Sequence, residues 1–403
     1  MDSKHNRRKF LQSTSSMAAM LSLGKDTLAE TSTPSQVGGN LHETQLFGKQ
    51  WTRRELMERV GDISQLGGIR NVTLSDGNEN GVRAIEVRTG TGFRFTVLSD
   101  RGLDISEAEF AGRSLCWRSS TGDVAPAFFE PEGLGWARGF FGGLLVTCGL
   151  ANAGPPGTDE GQALGLHGRI SYVPARNVYA AGEWQGDEYV MWVQGKVSEA
   201  AALAPKVTLS RKISAKLGAN RLSIEDTIEN EGHAPSPFMI LYHINFGFPV
   251  VSGDTILLAP TKNVVTMARE KVSQPDQWRR FQDPTPGFQE LVLRHEMVPD
   301  ADGYVTAALV NKERDSFGAY VRYRLKGLPH FWEWKMMGQG VYVVGLMPAN
   351  CWVESRAEAR QRGELTFLQP GEVVRQQVEI GVCASAAEVE KLKKSIPSVD
   401  LGL

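Results

Sequence analysis

The sequence predicts an all-β fold, a large antiparallel sandwich with short helices near its ends, and three observations support this. Short runs of strand-forming residues recur along the chain, and several alternate apolar with polar residues, as half-buried antiparallel strands do. Turn-forming residues are frequent, with 43 glycines and 19 prolines among 403 residues. Helical periodicity is confined to Arg53–Gln65 and Ala386–Lys394. A chain of this length can form one large β-sandwich.

The N-terminal segment has the pattern of an export signal. Asn6–Gln12 contains a twin-arginine pair, a weakly apolar stretch continues to Leu23, and Thr27–Ala29 offers small residues for cleavage. We therefore expect residues 1–29 to be a twin-arginine signal peptide that delivers a folded protein to a bacterial periplasm, with a disordered basic tail as the alternative. Residues 30–50 are predicted to be a linker, and residues 51–403 a single carbohydrate-active β-sandwich domain.

The first helical segment places Leu56, Val60 and Ile63 on one face, and two glycines follow it. After this segment the sequence predicts short strands separated by turns. The clearest predicted strands are Ala84–Arg88, Phe93–Leu98, Tyr189–Val193, Arg221–Asp226, Ala319–Tyr323 and Val341–Gly345.

Composition narrows the possible functions. Lys and Arg total 44 against 46 for Asp and Glu, a net charge of −2, so the sequence predicts no nucleic-acid partner. No apolar run is long enough to span a membrane. The cysteines lack metal-type spacing; an oxidising compartment permits a disulfide, and their apolar neighbours equally favour buried free thiols. They are Cys116, Cys148, Cys351 and Cys383.

Two histidine motifs are the most informative part of the chain. Leu166–Arg169 and Leu241–Gly247 each place a histidine among apolar residues and glycines. An unperturbed histidine has a pKa of about 6.5, so two that converge on one cleft can perform acid–base chemistry on a neutral substrate. The alternative is that each is a hydrogen-bonded histidine of the core.

Other polar and aromatic residues fall on the turns between strands, and together they suit a sugar. Aromatic faces stack on sugar rings, while charged and amide groups pair with hydroxyls. The sequence lacks the glycine-rich loops that hold nucleotides and the G-x-S-x-G elbow of hydrolases. The substrate-binding residues are predicted to be Arg101, Asp104, Trp136, Asn152, Arg169, Asn245, Trp334 and Lys335.

Three residues of the wider polar and aromatic group on these turns have structural alternatives. Arg101 can instead form an ion pair with a neighbouring aspartate, and Trp332 and Trp334 can instead fill the core of the sandwich.

Five segments in order resemble the aldose 1-epimerase, or galactose mutarotase-like, superfamily, and within it a poorly characterised bacterial branch. The resemblance extends from about residue 65 to residue 383. It implies a β-supersandwich with a sugar-binding cleft, in which His167 binds substrate and His243 is the general acid. The segments are Ser99–Ile105, Phe141–Leu150, Leu166–Arg169, Leu241–Gly247 and Leu368–Glu372.

The resemblance also implies a glutamate base on a late strand, and here the chain differs. The matching segment, Val344–Asn350, has Met347 at the expected position. A thioether cannot accept a proton. Glu354 and Glu333 are the substitute bases, with ion pairs as the alternative role of both: Glu354 with Arg356 or Arg360, and Glu333 with solvent-facing partners.

Three functions follow from these residues. The first is an isomerase with aldose 1-epimerase-like chemistry on a sugar ring. The second is a lyase or keto-sugar isomerase that acts on an oxidised sugar, in which the histidines and a carboxylate hold a divalent metal. The third is a sugar-binding protein without catalysis. The sequence otherwise predicts no cofactor, and it leaves the sugar and the oligomeric state open.

Overall fold

A computed structural model describes residues 44–272, 274, 276–311 and 317–398. The predicted signal peptide, residues 1–29, lies outside the described residues, as does the predicted linker up to residue 43. The first strands are Thr44–Leu46 (β1), Lys49–Trp51 (β2), Gly68–Thr73 (β3), Arg83–Arg88 (β4), Phe93–Leu98 (β5), Asp104–Phe110 (β6), Arg113–Ser114 (β7), Val146–Leu150 (β8), Gly157–Asp159 (β9), Gln162–Leu164 (β10), Arg176–Gln185 (β11), Glu188–Ala200 (β12) and Lys206–Lys216 (β13).

The second half of the chain supplies the remaining strands. Among the described residues, three short helices lie between strands and a fourth follows the last strand. The strands are Arg221–Asn230 (β14), Ser236–Pro237 (β15), Met239–Gly247 (β16), Thr255–Leu258 (β17), Thr261–Thr266 (β18), Leu291–Met297 (β19), Tyr304–Asn311 (β20), Phe317–Arg324 (β21), His330–Met337 (β22), Tyr342–Ala349 (β23), Phe367–Leu368 (β24) and Val373–Cys383 (β25). The helices are Arg53–Met57 (α1), Asp276–Arg279 (α2), Arg356–Gln361 (α3) and Ala386–Ser395 (α4).

Three large sheets contain most of these strands. One has eight strands in the order β11-β12-β13-β14-β25-β21-β20-β17, one has six in the order β18-β19-β22-β23-β16-β8, and one has five in the order β3 to β7. Neighbouring strands in them pair antiparallel, for example β22 with β23 and β12 with β13. The architecture confirms the predicted all-β sandwich.

The six-stranded sheet is buried on both faces, and β16 shows why. Its even-numbered residues, including Ile240, Tyr242 and Ile244, join the main core between the sheets. Its odd-numbered Met239 and Leu241 join a second apolar cluster on the opposite face. Because side chains alternate along a strand, His243 lies on that second face, away from the main core.

The predicted helical segment at Arg53–Gln65 is shorter than its periodicity indicates. Helix α1 ends at Met57, and a separate 3₁₀ turn covers Ile63–Gln65, capped by the Asp62 carboxylate, which accepts from the Ser64 backbone N–H at 2.8 Å. Gly61 between them favours the break, since glycine costs helix stability. The C-terminal helix was predicted correctly, whereas α2 and α3 were not predicted.

The N-terminal strands correct the end of the predicted linker, over residues 44–50. β1 and β2 pair in a hairpin, with Phe47 and Gly48 at positive φ in the turn. Leu46 anchors this hairpin against Leu56 and Leu217. All described residues belong to one compact unit.

A buried charge network crosses the sandwich. Arg211 pairs through two nitrogens with Asp226, at 2.9 and 2.7 Å, and reaches Asp104 at 3.1 Å. Asp104 also accepts from the Thr147 hydroxyl at 2.6 Å. Burial raises the pKa of Asp104 to about 6. The substrate-binding role predicted for Asp104 is therefore corrected, because its carboxylate is fully enclosed in the core.

Two further findings concern the described residues as a whole. None of their helices combines the length and apolar character that a membrane crossing requires. The four cysteines are buried free thiols.

Candidate active site

His243 lies on β16 in a single tautomer. Its Nδ1 is 2.5 Å from Asn245 Oδ1, two residues along the same face of the strand. The Asn245 amide nitrogen donates to the backbone oxygens of Gly142 and His243, at 3.2 and 3.0 Å. This fixes the amide orientation, so Oδ1 must accept and Nδ1 of His243 must carry the proton. The free lone pair of the imidazole is therefore on Nε2.

His167 lies on a tight turn that requires a glycine at the next position, Gly168. Its backbone N–H donates to Gly154 O at 2.8 Å, and its carbonyl accepts from the Gly149 N–H at 3.1 Å. His167 and Gly168 both have positive φ, at 55° and 72°. A Cβ at residue 168 would collide with the Asn152 and Gly149 carbonyl oxygens. The short histidine–glycine motif is thus explained by the backbone it requires.

The two histidines face each other. Their ring centroids are 5.8 Å apart, at an interplanar angle of 77°. Two segments about eighty residues apart in the chain therefore converge. This pair is the centre of the candidate site.

Aromatic rings surround the pair. Phe140 and Trp334 are each 5.3 Å from the His243 ring, and Trp136 is 4.8 Å from His167. Trp136 also stacks on Phe140 at 4.7 Å. Asn245, Trp136 and Trp334 are thus predicted site residues that lie at the histidines. Phe140 was not predicted, although it directly precedes the segment Phe141–Leu150.

Burial keeps both imidazoles neutral. Loss of solvation lowers the pKa of His243 to about 4, although the Asn245 hydrogen bond raises it slightly. The same effect lowers the pKa of His167 to about 3, and the neighbouring His243 adds to this. Nδ1 of His167 is buried and has no hydrogen-bond partner among the described residues. At neutral pH the site therefore presents two uncharged rings, of which His243 offers a proton acceptor.

Met347 lies directly across the strand pair from His243. The β16–β23 register pairs Leu241 with Ala349 and Ile244 with Leu346, which places residue 347 opposite residue 243. Facing residues of neighbouring strands share one side of the sheet. The side chain expected to be a glutamate base is therefore a buried thioether on the correct face.

Glu354 is held by arginines. It pairs with Arg269 and Arg362, each at 3.3 Å, rather than with the predicted Arg356 or Arg360. Its backbone is beside Gly154, the residue that binds the His167 backbone. Burial raises the pKa of Glu354, and Arg269 opposes that effect. Both its ion pairs engage the carboxylate, so its role as a base stays a prediction.

Glu333 and Lys335 face the interior, which corrects both predictions. Glu333 is fully buried and 3.1 Å from His295 Nε2, on the core side of β22. The Lys335 ammonium donates to the Gln277 and Arg280 carbonyls, at 2.8 and 2.7 Å. Neither residue shares a face with His243, because alternation places them opposite the tryptophans of the same strand.

Arg101 also serves the fold, and not through the predicted ion pair. Its guanidinium donates to the backbone oxygens of Ser171, Val124 and Gly139, at 2.7 to 3.0 Å, and it is fully buried. Its substrate-binding role is thereby corrected, because all three nitrogens are used by carbonyls.

Asn152 and Arg169 line a small cavity of about 30 Å³ beside the turn that carries His167. The amide nitrogen of Asn152 donates to Gly165 O at 2.8 Å, while its side-chain oxygen is buried and has no partner in the part of the chain that the structure describes. These two residues are thus near the site but not at the histidine pair.

A larger cavity of about 380 Å³ lies over β4, β5 and β6, lined by charged residues such as Glu86, Arg94 and Glu107. It contains no histidine. We assign the candidate site to the histidine pair, since aromatic walls and a proton acceptor converge there and not in the larger cavity.

The metal hypothesis depends on a third ligand. Among the described residues, no group of three or more His, Cys, Asp or Glu side chains could hold a metal ion. Two histidines alone are fewer than the three protein ligands usual in catalytic zinc sites. The described residues therefore do not fit the metal-assisted alternative.

Comparison with known structures places this fold in the galactose mutarotase-like class. A Klebsiella pneumoniae protein, provisionally named an aldose 1-epimerase, is 25% identical with a TM-score of 0.77, over 86% of this chain and 94% of that one. A galactose mutarotase-like protein from Clostridium acetobutylicum is 11% identical, with a TM-score of 0.55, over 79% and 99% of the two chains. Galactose 1-epimerase from Lactobacillus acidophilus is 11% identical, with a TM-score of 0.52, over 79% and 99%. The last two show the fold alone.

The sequence itself defines the family. Residues 79–382 match the profile of DUF4432, a domain of unknown function, and the chain belongs to that family. Among curated proteins, none is similar enough in sequence to count as a match. The resemblance to the aldose 1-epimerase superfamily is confirmed by the structural neighbours.

Proposed function

We propose that this protein binds a sugar over the His167–His243 pair and interconverts its anomers. The observation that carries the proposal is the neutral His243 imidazole, oriented by Asn245 so that Nε2 accepts a proton. The rings of Trp136, Phe140 and Trp334 supply the apolar surface that sugar C–H groups favour.

A single histidine, His243, can carry out both proton transfers of the ring opening. His243 Nε2 takes the proton of the anomeric hydroxyl, the electrons of that O–H bond form the carbonyl, and the bond from the anomeric carbon to the ring oxygen breaks. The ring oxygen receives the proton back from the imidazolium. After the carbonyl rotates, the reverse steps close the ring on its other face, while His167 orients the sugar oxygens. In this proposal His243 acts first as a base, because its lowered pKa leaves it unprotonated.

A second candidate is sugar binding without catalysis, and Met347 is the observation that favours it. Its thioether lies opposite His243, where a carboxylate would complete an acid–base pair. Under this candidate the aromatic walls and the histidines bind the sugar, and the protein does not speed anomer exchange.

The test is anomer exchange measured by NMR on several aldoses with the purified protein. We expect exchange above the buffer rate, and a loss of at least about 100-fold in His243→Ala, the usual size of a general acid–base contribution. The matched control is His233→Ala, since His233 is exposed and outside the site.

The two candidates give different results. Sugar-induced NMR shifts without faster exchange would support binding alone, and neither shifts nor exchange would reject both. Exchange that survives in a folded His243→Ala variant would reject the assigned role of His243.

A further inference from the structure

One face of the six-stranded sheet connects the histidine pair to a second polar group. Across β16, β23, β22 and β19, the register aligns His243, Met347, Trp332 and Arg294 in one row. At a spacing of about 4.8 Å between strands, Arg294 is about 14 Å from His243 at the backbone. Both are on the face away from the main core.

Arg294 is held in position by two neighbours. Its Nε donates to His330 Nδ1 at 2.8 Å, and its guanidinium is 4.8 Å from the centre of the Trp352 ring. His330 and Trp352 also contact each other, with ring centroids 5.8 Å apart. The alternation His330, Trp332, Trp334 along β22 is the sequence signal that places these three side chains on one face.

The guanidinium of Arg294 has no carboxylate partner among the described residues within 4.0 Å. Arg269, on the same tryptophan ring at 3.7 Å, differs: it pairs with Glu364 at 2.6 Å and with Glu354 at 3.3 Å. Among the described residues, Arg269 is thus paired with carboxylates, whereas Arg294 is not.

The electrostatics agree with a charge that carboxylates compensate only from a distance. Burial lowers the pKa of Arg294, and Arg269 lowers it further, while Glu296 and Glu364 act in the opposite direction without contacting it. An arginine that is partly desolvated and unpaired gains most from a bound anion, and its planar fork suits a carboxylate or phosphate.

We propose that Arg294, positioned by His330 and Trp352, is an anion subsite, and that the natural substrate is an acidic sugar. The shared chemistry is a monosaccharide that carries a carboxylate or a phosphate away from its anomeric carbon. The anomeric centre lies at His243 and the anion at Arg294, three strands away on the same face of the sheet. This proposal rests on the sugar-binding function proposed above.

The experiment compares pairs of sugars that differ in the anionic group. Calorimetric titration gives Kd for glucose against glucuronate and glucose 6-phosphate, and for galactose against galacturonate. We expect at least one acidic sugar to bind at least tenfold tighter than its neutral partner. Whether glucuronate or glucose 6-phosphate gains more identifies the anion.

Variants of Arg294 test whether this residue causes the preference for acidic sugars. Arg294→Gln should remove the preference while the Kd for the neutral sugar changes less than twofold. Arg294→Lys keeps the charge without the fork and should retain part of it, which also provides a test if the glutamine variant does not fold. The matched control is Arg54→Gln, since Arg54 is an exposed arginine on α1.

The outcomes separate the two proposals. Equal affinities for neutral and acidic sugars, with anomer exchange still dependent on His243, would overturn the anion subsite alone. A preference that survives in folded Arg294→Gln would also overturn it. If no sugar of either kind binds, both proposals fail.

Discussion

At the scale of single residues, the chemistry of the site depends on the side chain that faces His243 across the strand pair. Met347 supplies apolar surface there and is buried. A thioether accepts only weak hydrogen bonds and takes no proton. One substitution at this position therefore determines whether a second proton acceptor is present.

Met347→Glu should raise anomer exchange by about 100-fold, the range of general-base catalysis. It should also lower the free energy of unfolding, because a carboxyl group would replace an apolar side chain in a buried position. NMR exchange and urea denaturation measure the two effects. The matched control is Met347→Gln, of the same size and unable to act as a base. A folded, sugar-binding glutamate variant no faster than the glutamine variant would contradict this assignment.

Several residue-scale assignments could not be made from sequence. Arg101 and Asp104 stand in a motif that marks the family, yet their partners are carbonyls and an arginine far along the chain. A sequence shows that a charged residue is near a turn but not whether the fold encloses it. The histidines were predictable because a glycine and a strand pattern accompany them.

At the scale of elements, the turn at His167 is as constrained as the strand at His243. Two consecutive residues of this turn adopt positive φ, and the second packs against two carbonyl oxygens. The position of the His167 ring is therefore set by backbone geometry.

Gly168→Ala should lower the free energy of unfolding by at least about 2 kcal/mol, since strain in the left-handed region adds to a steric clash. The matched control is Gly161→Ala, at φ 78° with open space around a Cβ, which should cost about 1 kcal/mol from the left-handed conformation alone. Urea denaturation of both variants measures the difference. Equal losses would contradict the clash at residue 168.

The elements also show why Glu333 was misplaced. Alternation along β22 correctly separates Glu333 from Trp332 and Trp334. It does not tell which face is the cleft, because both faces of this sheet are buried and neither carries the polar pattern of a solvent-facing side. The strands were predictable from local alternation, whereas the layer that each face contacts was not.

At the scale of the whole molecule, the protonation of the two site histidines affects the free energy of unfolding. The pKa of His243 falls from 6.5 to about 4 on folding, and that of His167 to about 3. The unfolded chain therefore binds protons first as the pH falls. Their contribution to the free energy of unfolding is complete above pH 6.5, and it is lost as the pH decreases to about 4 for His243 and about 3 for His167.

His243→Gln should reduce the loss in free energy of unfolding between pH 7.5 and pH 5.5 by about 1 kcal/mol, because one histidine with these pKa values contributes about that much. Buried carboxyl groups with raised pKa values, such as Asp104 and Glu333, change the free energy of unfolding with pH in the opposite direction. Their contribution is the same in the variant and the wild type, so it cancels in the comparison. Urea denaturation at the two pH values measures the effect. The exposed His233→Gln should retain the wild-type difference, and an unchanged difference in His243→Gln would show that His243 does not titrate as assigned.

The all-β architecture and its extent were predictable because they depend on many short, repeated signals. The buried Arg211 network was not, since it joins residues more than one hundred positions apart. The linker boundary failed for a related reason: the first hairpin is short, and its anchor Leu46 packs against residues on other elements.

Strand β16 has a consequence for how this family can change. Its alternate residues belong to the main core and to the site, so deletion of a single residue would turn His243 inwards and a core tyrosine outwards. New specificities on this strand can therefore arise by replacement but not by insertion or deletion. Length variation among relatives should concentrate in the loops, because an insertion or deletion there leaves the register of the strands unchanged.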